Sequence, residues 1–451
     1  MKKNRKLDKE FYKLLIVVAI PIIIQNLISI GLNMVDSIMI GKLGVNPLAA
    51  VGLANRIYFI FSMICFGIFS GSSIFIAQYW GVKDIKNIKK VFGINIFLGT
   101  ALSLVSTIVV LIFSKQILSI FSSDNSVVEQ GVDYLRIICF SYIFTALSFA
   151  ASFNSRAIHK LRIPTLISAI AIMINTFLNY LLIYGKFGFP EFGVKGAAIA
   201  TFIARIIEFI FMFLYIYKSK NHPLAATFKE MLSWDITMLK NVIKTSFPVI
   251  VSESSWALGT TVYYIAYGII GPSAIAVVQV AYIINDLFQS MFLGVGNAAS
   301  VILGNEIGKN NLEKAENYSK KLIKITFILN IVVSIALILV RNIIVDIYNF
   351  DSNTSIMLEK SLIVFALFTT PKMFTYVFIC GILRSGGDTK YCMTVELITI
   401  WLIGVPLAFF GVLVLKLPLH WVLTLVFSEE IIKLFIIVKR YKTKNWLNNL
   451  I

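Results

Sequence analysis

The sequence predicts an all-α, polytopic membrane protein with twelve transmembrane helices in two pseudo-symmetric six-helix lobes. Composition is the first observation behind this. The 451 residues are 58% hydrophobic and only 14% charged, a balance that suits a chain dissolved in lipid rather than in water. The second is pattern. The apolar stretches are unbroken runs of roughly 20 residues, the length that crosses hydrocarbon as a helix, and not the short alternations of a β-barrel. The third is an internal repeat. Pro21, Val35, Ile38, Gly41, Gly44, Ala49, Val51, Gly67 and Gly81 meet Pro248, Val262, Ile265, Gly268, Gly271, Ala276, Val278, Gly294 and Gly308 at a constant offset of 227, without a gap.

Taken in order, the spans fall near 14–40, 48–79, 91–113, 132–153, 164–184, 196–217, 245–270, 273–303, 322–340, 359–382, 391–414 and 418–438. Several exceed what the bilayer requires, so tilt, kinks or ends standing in water are expected. The first is too long for a signal-peptide core and has no small-residue cleavage site, so it reads as a retained span. Each half holds an even number of spans. The two copies therefore share one orientation, as a parallel repeat about an axis along the membrane normal. The expected division is an amino lobe at 1–220, a cytoplasmic linker at 221–244 and a carboxyl lobe at 245–451, with an interfacial helix over 228–240 in the connection. Cys65, Cys139, Cys380 and Cys392 lie in or beside spans without CxxC spacing and read as packing residues.

A net charge of +18 raises nucleic acid as a partner, and the positions of the charges answer it. With the amino terminus inside, the inner segments hold 30 of the 41 Lys and Arg residues and the outer loops 8, while Arg56, Arg205 and Lys372 lie within spans. That asymmetry is topological. It puts both termini in the cytoplasm of a multi-pass protein of the cell membrane and argues against nucleic-acid binding.

Residues 21–44, PIIIQNLISIGLNMVDSIMIGKLG, organise the chemistry. Gln25, Ser29, Asn33 and Asp36 share one helical face there. A carboxylate in hydrocarbon costs roughly 2.5–3.5 kcal/mol on insertion scales, so this face must look into protein or water. Asn175 and Asn179 in span five are four residues apart and share a face. Their carbonyls with the Asp36 carboxylate make a hard oxygen site for Na⁺, or a proton on the acid; the asparagines alone could equally be interhelical glue. In the second copy, Glu253 continues at helical spacing through Trp256, Thr260, Tyr264 and Tyr267. An acid beside aromatic rings suits a bulky organic cation, and an aromatic packing stripe is the competing reading. Span eight adds Gln279, Tyr282, Asp286 and Gln289 on one face with Asn285 beside it. Lys372 follows Pro371 and is expected to pair across helices, with Glu253 as one candidate, or to snorkel. Arg205 with Glu208, and Glu429 and Glu430 with Lys433, read as structural pairs, and Glu396 is left open. His159, His222 and His420 are scattered, and no HExxH, GxSxG or Walker loop is present, so no enzyme and no cofactor is expected beyond Na⁺ or H⁺ as coupling ion.

Together these residues resemble the multidrug and toxic compound extrusion (MATE) transporters. The resemblance covers nearly the whole chain: Pro21, Gln25, Val35-Asp36 and Gly41; LAAVG at 48–52; QYWG at 78–81; Arg156; Asn175, Asn179 and GVKGAAIAT at 193–201; Pro248 with Glu253; GNAASVILGNEIG at 296–308; LRSGGDTKY at 383–391; and Pro406. It implies two six-helix lobes and cation-coupled export of organic cations and other amphiphiles. The family's amino-lobe cation site maps to Asp36, Asn175, Asn179 and Thr201. Many members carry Asp at the position of Asn179, so this lobe keeps one full carboxylate. The carboxyl-lobe acid of one branch maps to Glu253, and its partner Asp in span ten is replaced by Lys372-Met373.

The expected function is alternating-access antiport by a monomer, H⁺ or Na⁺ against small organic cations and amphiphilic drugs. Asp36, Asn175, Asn179 and Thr201 would couple, the first three also forming the possible Na⁺ site. Gln25, Asn33, Glu253, Trp256, Tyr264, Gln279, Asn285, Asp286 and Lys372 would contact substrate. The alternatives are a flippase for a lipid-linked precursor, which would favour a strongly cationic cavity, and a channel or non-transporting receptor.

Overall fold

The computed structural model describes residues 2–121, 124–348 and 350–451, with side chains from Phe11 onward except that of Val45. Twelve long helices follow one another: α1 Lys2–Gly41, α2 Val45–Gly81 and α3 Ile85–Phe121, α4 Asn125–Ala157, α5 Arg162–Tyr184, α6 Gly193–Lys218, α7 Ile236–Ile270, α8 Pro272–Gly308 and α9 Leu312–Tyr348, α10 Ser352–Gly386 and α11 Thr389–Val414, and α12 Leu419–Lys442. Among the described residues, ten have the length and apolarity to cross a membrane. The other two, α7 and α12, carry Glu253 and the Glu429, Glu430 and Lys433 group, which lower their apolarity. Every expected span lies in one of these helices, save that the twelfth starts one residue late, Pro418 standing just before Leu419 as its cap, and most helices run beyond the span. Within spans all backbone N–H and C=O groups must be satisfied locally, which only a continuous helix achieves.

The repeat reaches the backbone. Gly44 and Gly271 open α2 and α8 at φ 125° and 141°, ψ 177° and 171°, a region open essentially to glycine alone. Past the ends of the same helices, Lys83 and Asn310 both take left-handed φ values, 62° and 60°. All four positions obey the offset of 227.

The chain forms two compact units: Ile24–Ser246, and the segment up to Ile23 together with Phe247–Ile451. The expected lobe boundary at 220–245 thus misses one feature. Each repeat's first helix starts in one unit and continues in the other, changing over beside Pro21 in α1 and Pro248 in α7. Close backbone packing explains why. A side chain at Gly294 of α8 would stand 2.9 Å from Ala19 O and 2.5 Å from Ile23 Cγ1, so only glycine lets the start of α1 lie against α8. The Phe11 ring then reaches Tyr318 of α9 at 4.8 Å between centroids. In the other unit the start of α7 lies against α2, where Gly71 faces Ser246 without room for a Cβ and Ser246 Oγ donates to Ile68 O at 3.1 Å. Ala19 and Ser246 are again 227 residues apart.

The connection between the halves departs from the expected interfacial helix over 228–240. A single turn, Phe228–Met231, is closed by a capping box between Thr227 and Glu230. Asp235 then caps α7 by accepting from Met238 N at 2.7 Å. Two caps within eight residues split what the apolar spacing alone reads as one helix. Glu230 also pairs with Lys89 at 2.8 Å, and this lysine hydrogen bond with the Thr227 cap holds its carboxyl down at about 2. Met231 O packs onto Gly93 of α3, where a Cβ would collide.

Gly44→Ala and Gly271→Ala are each expected to lower stability by about 1–3 kcal/mol, the cost of forcing a Cβ into that backbone region. Gly31→Ala, whose Cβ would meet nothing within 4 Å, is expected to be neutral. Thermal unfolding in detergent compares the three.

Candidate functional site

In the amino-half unit the polar face of α1 meets α5 and α6. Gly196 lets α6 close on α5, because any side chain there would strike Leu182 O. That contact brings Thr201 opposite Asn175. With the Asn175 amide oriented to suit both neighbours, Nδ2 donates to Asp36 Oδ2 at 3.0 Å, while Oδ1 accepts from Thr201 N at 3.1 Å. Thr176 Oγ1 donates to Asp36 Oδ1 at 3.2 Å. Asn179 is in hydrogen-bonding reach of the same carboxylate. Its Oδ1 is buried and has no partner among the described residues. The four residues expected as a cation site are therefore gathered in one place, with Thr176 as an addition that sequence spacing did not single out.

Next to them lies a cavity of about 120 Å³ bordered by Ser29, Asn33, Asn175, Thr201 and Arg205. Asn175 and Thr201 thus serve both the carboxylate and the cavity. Asn33 joins it as expected. Gln25, two turns earlier, does not; its backbone carbonyl accepts from Ser29 Oγ at 2.8 Å. Arg205 Nη1 donates to Glu208 Oε2 at 2.6 Å, forming the expected pair.

The carboxyl-half unit is arranged differently from the sequence expectation. Glu253 Oε1 pairs with Arg384 Nη1 at 2.8 Å, with 18% and 3% of the two side chains exposed. Glu253 is therefore held by an arginine and does not join Trp256 in a cationic-ligand cage, nor does it meet Lys372. The signal for Arg384 was present in LRSGGDTKY, but no helical spacing links positions 253 and 384.

Trp256 instead borders a small cavity with Thr260, Tyr263, Tyr282, Lys372, Phe427, Glu429 and Glu430. Lys372 Nζ sits 5.6 Å from the Tyr282 ring centre and 5.9 Å from that of Phe427. The acids beside it are engaged elsewhere. Glu430 accepts from Lys433 Nζ at 3.0 Å and Thr375 Oγ1 at 2.6 Å, and Glu429 accepts from Tyr263 Oη at 2.9 Å. Gly404 makes room for that last contact, since a Cβ there would strike both Tyr263 Oη and Glu429 Oε2. It lies in loosened wide turns that precede Pro406 in α11, a helix distortion frequent at functional positions. Tyr264 stacks on Tyr282 at 5.7 Å and donates to Gln279 Oε1 at 3.3 Å. Asn285 donates to Gln289 of its own helix at 3.1 Å. Asp286 is exposed and lies on α8 near Lys372.

Arg384→Met is expected to lower stability by about 3–5 kcal/mol, because Glu253 is left in the interior without its partner. Lys372→Met, which breaks no ion pair, is expected to cost clearly less in the same thermal-unfolding assay.

Residues 21–181 and 248–410 each match the MatE family, beginning at the two prolines that head the repeat. Among similar proteins are the probable multidrug resistance protein YoeA of Bacillus subtilis (strain 168), 25% identical over 86% of this chain and 84% of that one, and the probable multidrug resistance protein NorM of Oceanobacillus iheyensis, 28% identical over 88% and 89%. A MOP superfamily transporter from Pyrococcus furiosus has the same fold, with a TM-score of 0.88 over 96% of both chains at 20% identity. The duplicated helices, the repeat-related prolines and glycines, and a family match over both halves make this chain a member of the MatE family of MATE transporters.

Proposed function

We propose that the protein is a cation-coupled antiporter that exports organic cations and amphiphilic drugs across the cell membrane by alternating access, working as a monomer with both termini in the cytoplasm. The observation that carries this reading is the Asp36 site. One carboxylate is held by donors from α5, and the orphaned, buried carbonyl oxygen of Asn179 lies beside it. A carboxylate and a carbonyl oxygen that lacks a donor suit a hard cation, either Na⁺ or a proton carried on the acid. The names of the relatives from Bacillus subtilis and Oceanobacillus iheyensis, probable multidrug resistance proteins, support drugs as cargo. At the carboxyl-half cavity, Trp256 and Tyr282 offer aromatic faces to that cargo, with Lys372 on the same lining.

Asn33 and Asn175 would contact substrate next to the coupling carboxylate, so ion and cargo would compete for one set of side chains. Such competition is what antiport requires, because a ligand shifts a conformational equilibrium only through differential affinity for its states. Glu253 enters this scheme as the counter-charge of Arg384.

Asp36→Asn is expected to abolish uphill ethidium efflux in everted vesicles while leaving membrane insertion intact; efflux at the wild-type level would remove Asp36 from the mechanism. Imposing ΔpH and ΔNa⁺ separately in the same vesicles identifies the ion. With one coupling carboxylate, one-for-one exchange of monovalent cations moves no net charge, although each charge crossing 100 mV is worth about 2.3 kcal/mol. Clamping the potential with valinomycin and potassium is therefore expected to leave efflux nearly unchanged. Uphill efflux driven by a potential alone, negative on the cytoplasmic side and so positive inside the everted vesicles, would mean that a second charge moves.

A further inference from the structure

The loop that joins α5 to α6 in the amino-half unit, GKFGFPEF at 185–192, turns its phenylalanines outward. Phe187 is 84% exposed, and Phe189 and Phe192 are exposed as well. Apolar rings gathered on so short a loop mark a contact surface. The backbone holds them there. Phe187 stands at φ 56° and ψ 34°, a left-handed conformation that is costly for a bulky residue and accompanies functional positions. Gly185 and Gly188 flank it at φ 61° and 83°. The loop also closes on itself: Phe192 N donates to Leu182 O at 3.0 Å, and a Cβ at Gly185 would stand 2.9 Å from Glu191 N.

Helix length says what covers the rings. α5 runs for 23 residues from Arg162 to Tyr184, which is about 34 Å against a hydrocarbon core of roughly 30 Å. With Arg162 at one boundary, the loop stands at the other. Along α5 the exposed side chains Ile163, Leu166, Ile170, Met173 and Phe177 recur three or four residues apart, the stripe of a helix that faces lipid. Tyr180 ends the stripe one turn before the loop, where aromatic residues meet the interface. The phenylalanines continue an apolar surface that lipid already covers.

We propose that the α5–α6 loop is a membrane anchor, with Phe187, Phe189 and Phe192 seated at the acyl-chain boundary of the outer leaflet. The choice of leaflet rests on the orientation proposed above, with both termini in the cytoplasm. The anchor fixes the depth of α5, the helix that carries Asn175, Thr176 and Asn179. It holds α1 with it, because Tyr184 Oη at the end of α5 donates to Met39 O at 2.7 Å.

Spin labels on single cysteines test this in the full chain, reconstituted into phosphatidylcholine vesicles with the four native cysteines replaced by alanine. Labels at Phe187→Cys and Phe189→Cys are expected to collide with oxygen more than with a water-soluble nickel chelate. Their depth is expected to be about 5–10 Å inside the headgroup boundary. A label at Glu191→Cys, the acid of the same loop, is expected to favour the chelate. If the alanine background fails to fold, Phe187→Trp in the native chain gives the same reading, as quenching by brominated acyl chains beyond that of the wild type. Labels at 187 and 189 that favour the chelate put the loop in water and overturn the anchor. Labels that neither collider reaches mean cover by protein, a second copy or another chain, and overturn it too. Sidedness is read separately: Lys186→Cys is expected to react with an impermeant maleimide on whole cells. Reaction only after lysis overturns the outer leaflet and the orientation with it, and leaves the lipid contact standing.

Discussion

A charge that leaves water must find its partner inside the protein, and this constraint orders both units of the chain. In the amino half it surrounds Asp36 with Asn175, Thr176 and Asn179, and sets Glu208 between Arg205 and Ser168. In the carboxyl half it joins Glu253 to Arg384 and gathers Glu429, Glu430, Lys433, Thr375 and Tyr263 into one connected group. Removing one member of a buried pair costs several kcal/mol, more than most single packing contacts contribute. The helices that carry these groups are consequently held to one another by polar contacts as much as by shape, which in lipid is the stronger constraint on which helices meet.

The repeat shows which properties of the chain come from backbone geometry and which from side-chain chemistry. Positions fixed by the backbone recur: the prolines at 21 and 248, the glycines at 44 and 271, the left-handed residues at 83 and 310. Chemistry does not. Asp36 of α1 corresponds at the same offset to Tyr263 of α7, an acid in one half and a phenol in the other. Each stands at the centre of a polar group, half-buried around Asp36 and buried around Tyr263, but Tyr263 donates to an acid supplied by α12 while Asp36 is itself the acid. The same helix frame thus presents a hydrogen-bonded carboxylate in one unit and a phenol joined to an acid–lysine cluster in the other.

Loosened helical turns mark where the second cluster is built. The wide turns before Pro406 and the absence of a side chain at Gly404 allow Tyr263 and Glu429 to meet through α11. A proline removes a helical hydrogen bond and crowds the preceding turn, so the helix there already departs from regular geometry. Close approach at glycine does the same work at Gly196, Gly71 and Gly294, where helices touch backbone to backbone.

The sequence by itself determined the helical membrane fold, the number of long helices, the repeat and the amino-half site. Each of these follows from local or periodic information: apolar runs, a constant offset, and polar residues three or four apart on one helix face. Asp36, Asn175, Asn179 and Thr201 were legible because each pair or stripe declares itself within a single helix and the resemblance joins the helices. Tertiary structure alone decided the rest. The partner of Glu253 lies 131 positions along the chain, at Arg384, and no periodicity relates two residues on separately placed helices. The cap at Asp235 broke an apolar pattern that spacing reads as continuous, because a side-chain oxygen that satisfies exposed N–H groups outweighs a weak amphipathic signal. The changeover of α1 and α7 between units near their prolines depends on Gly294 and Gly71 meeting backbone across helices, a contact that exists only once the helices are packed.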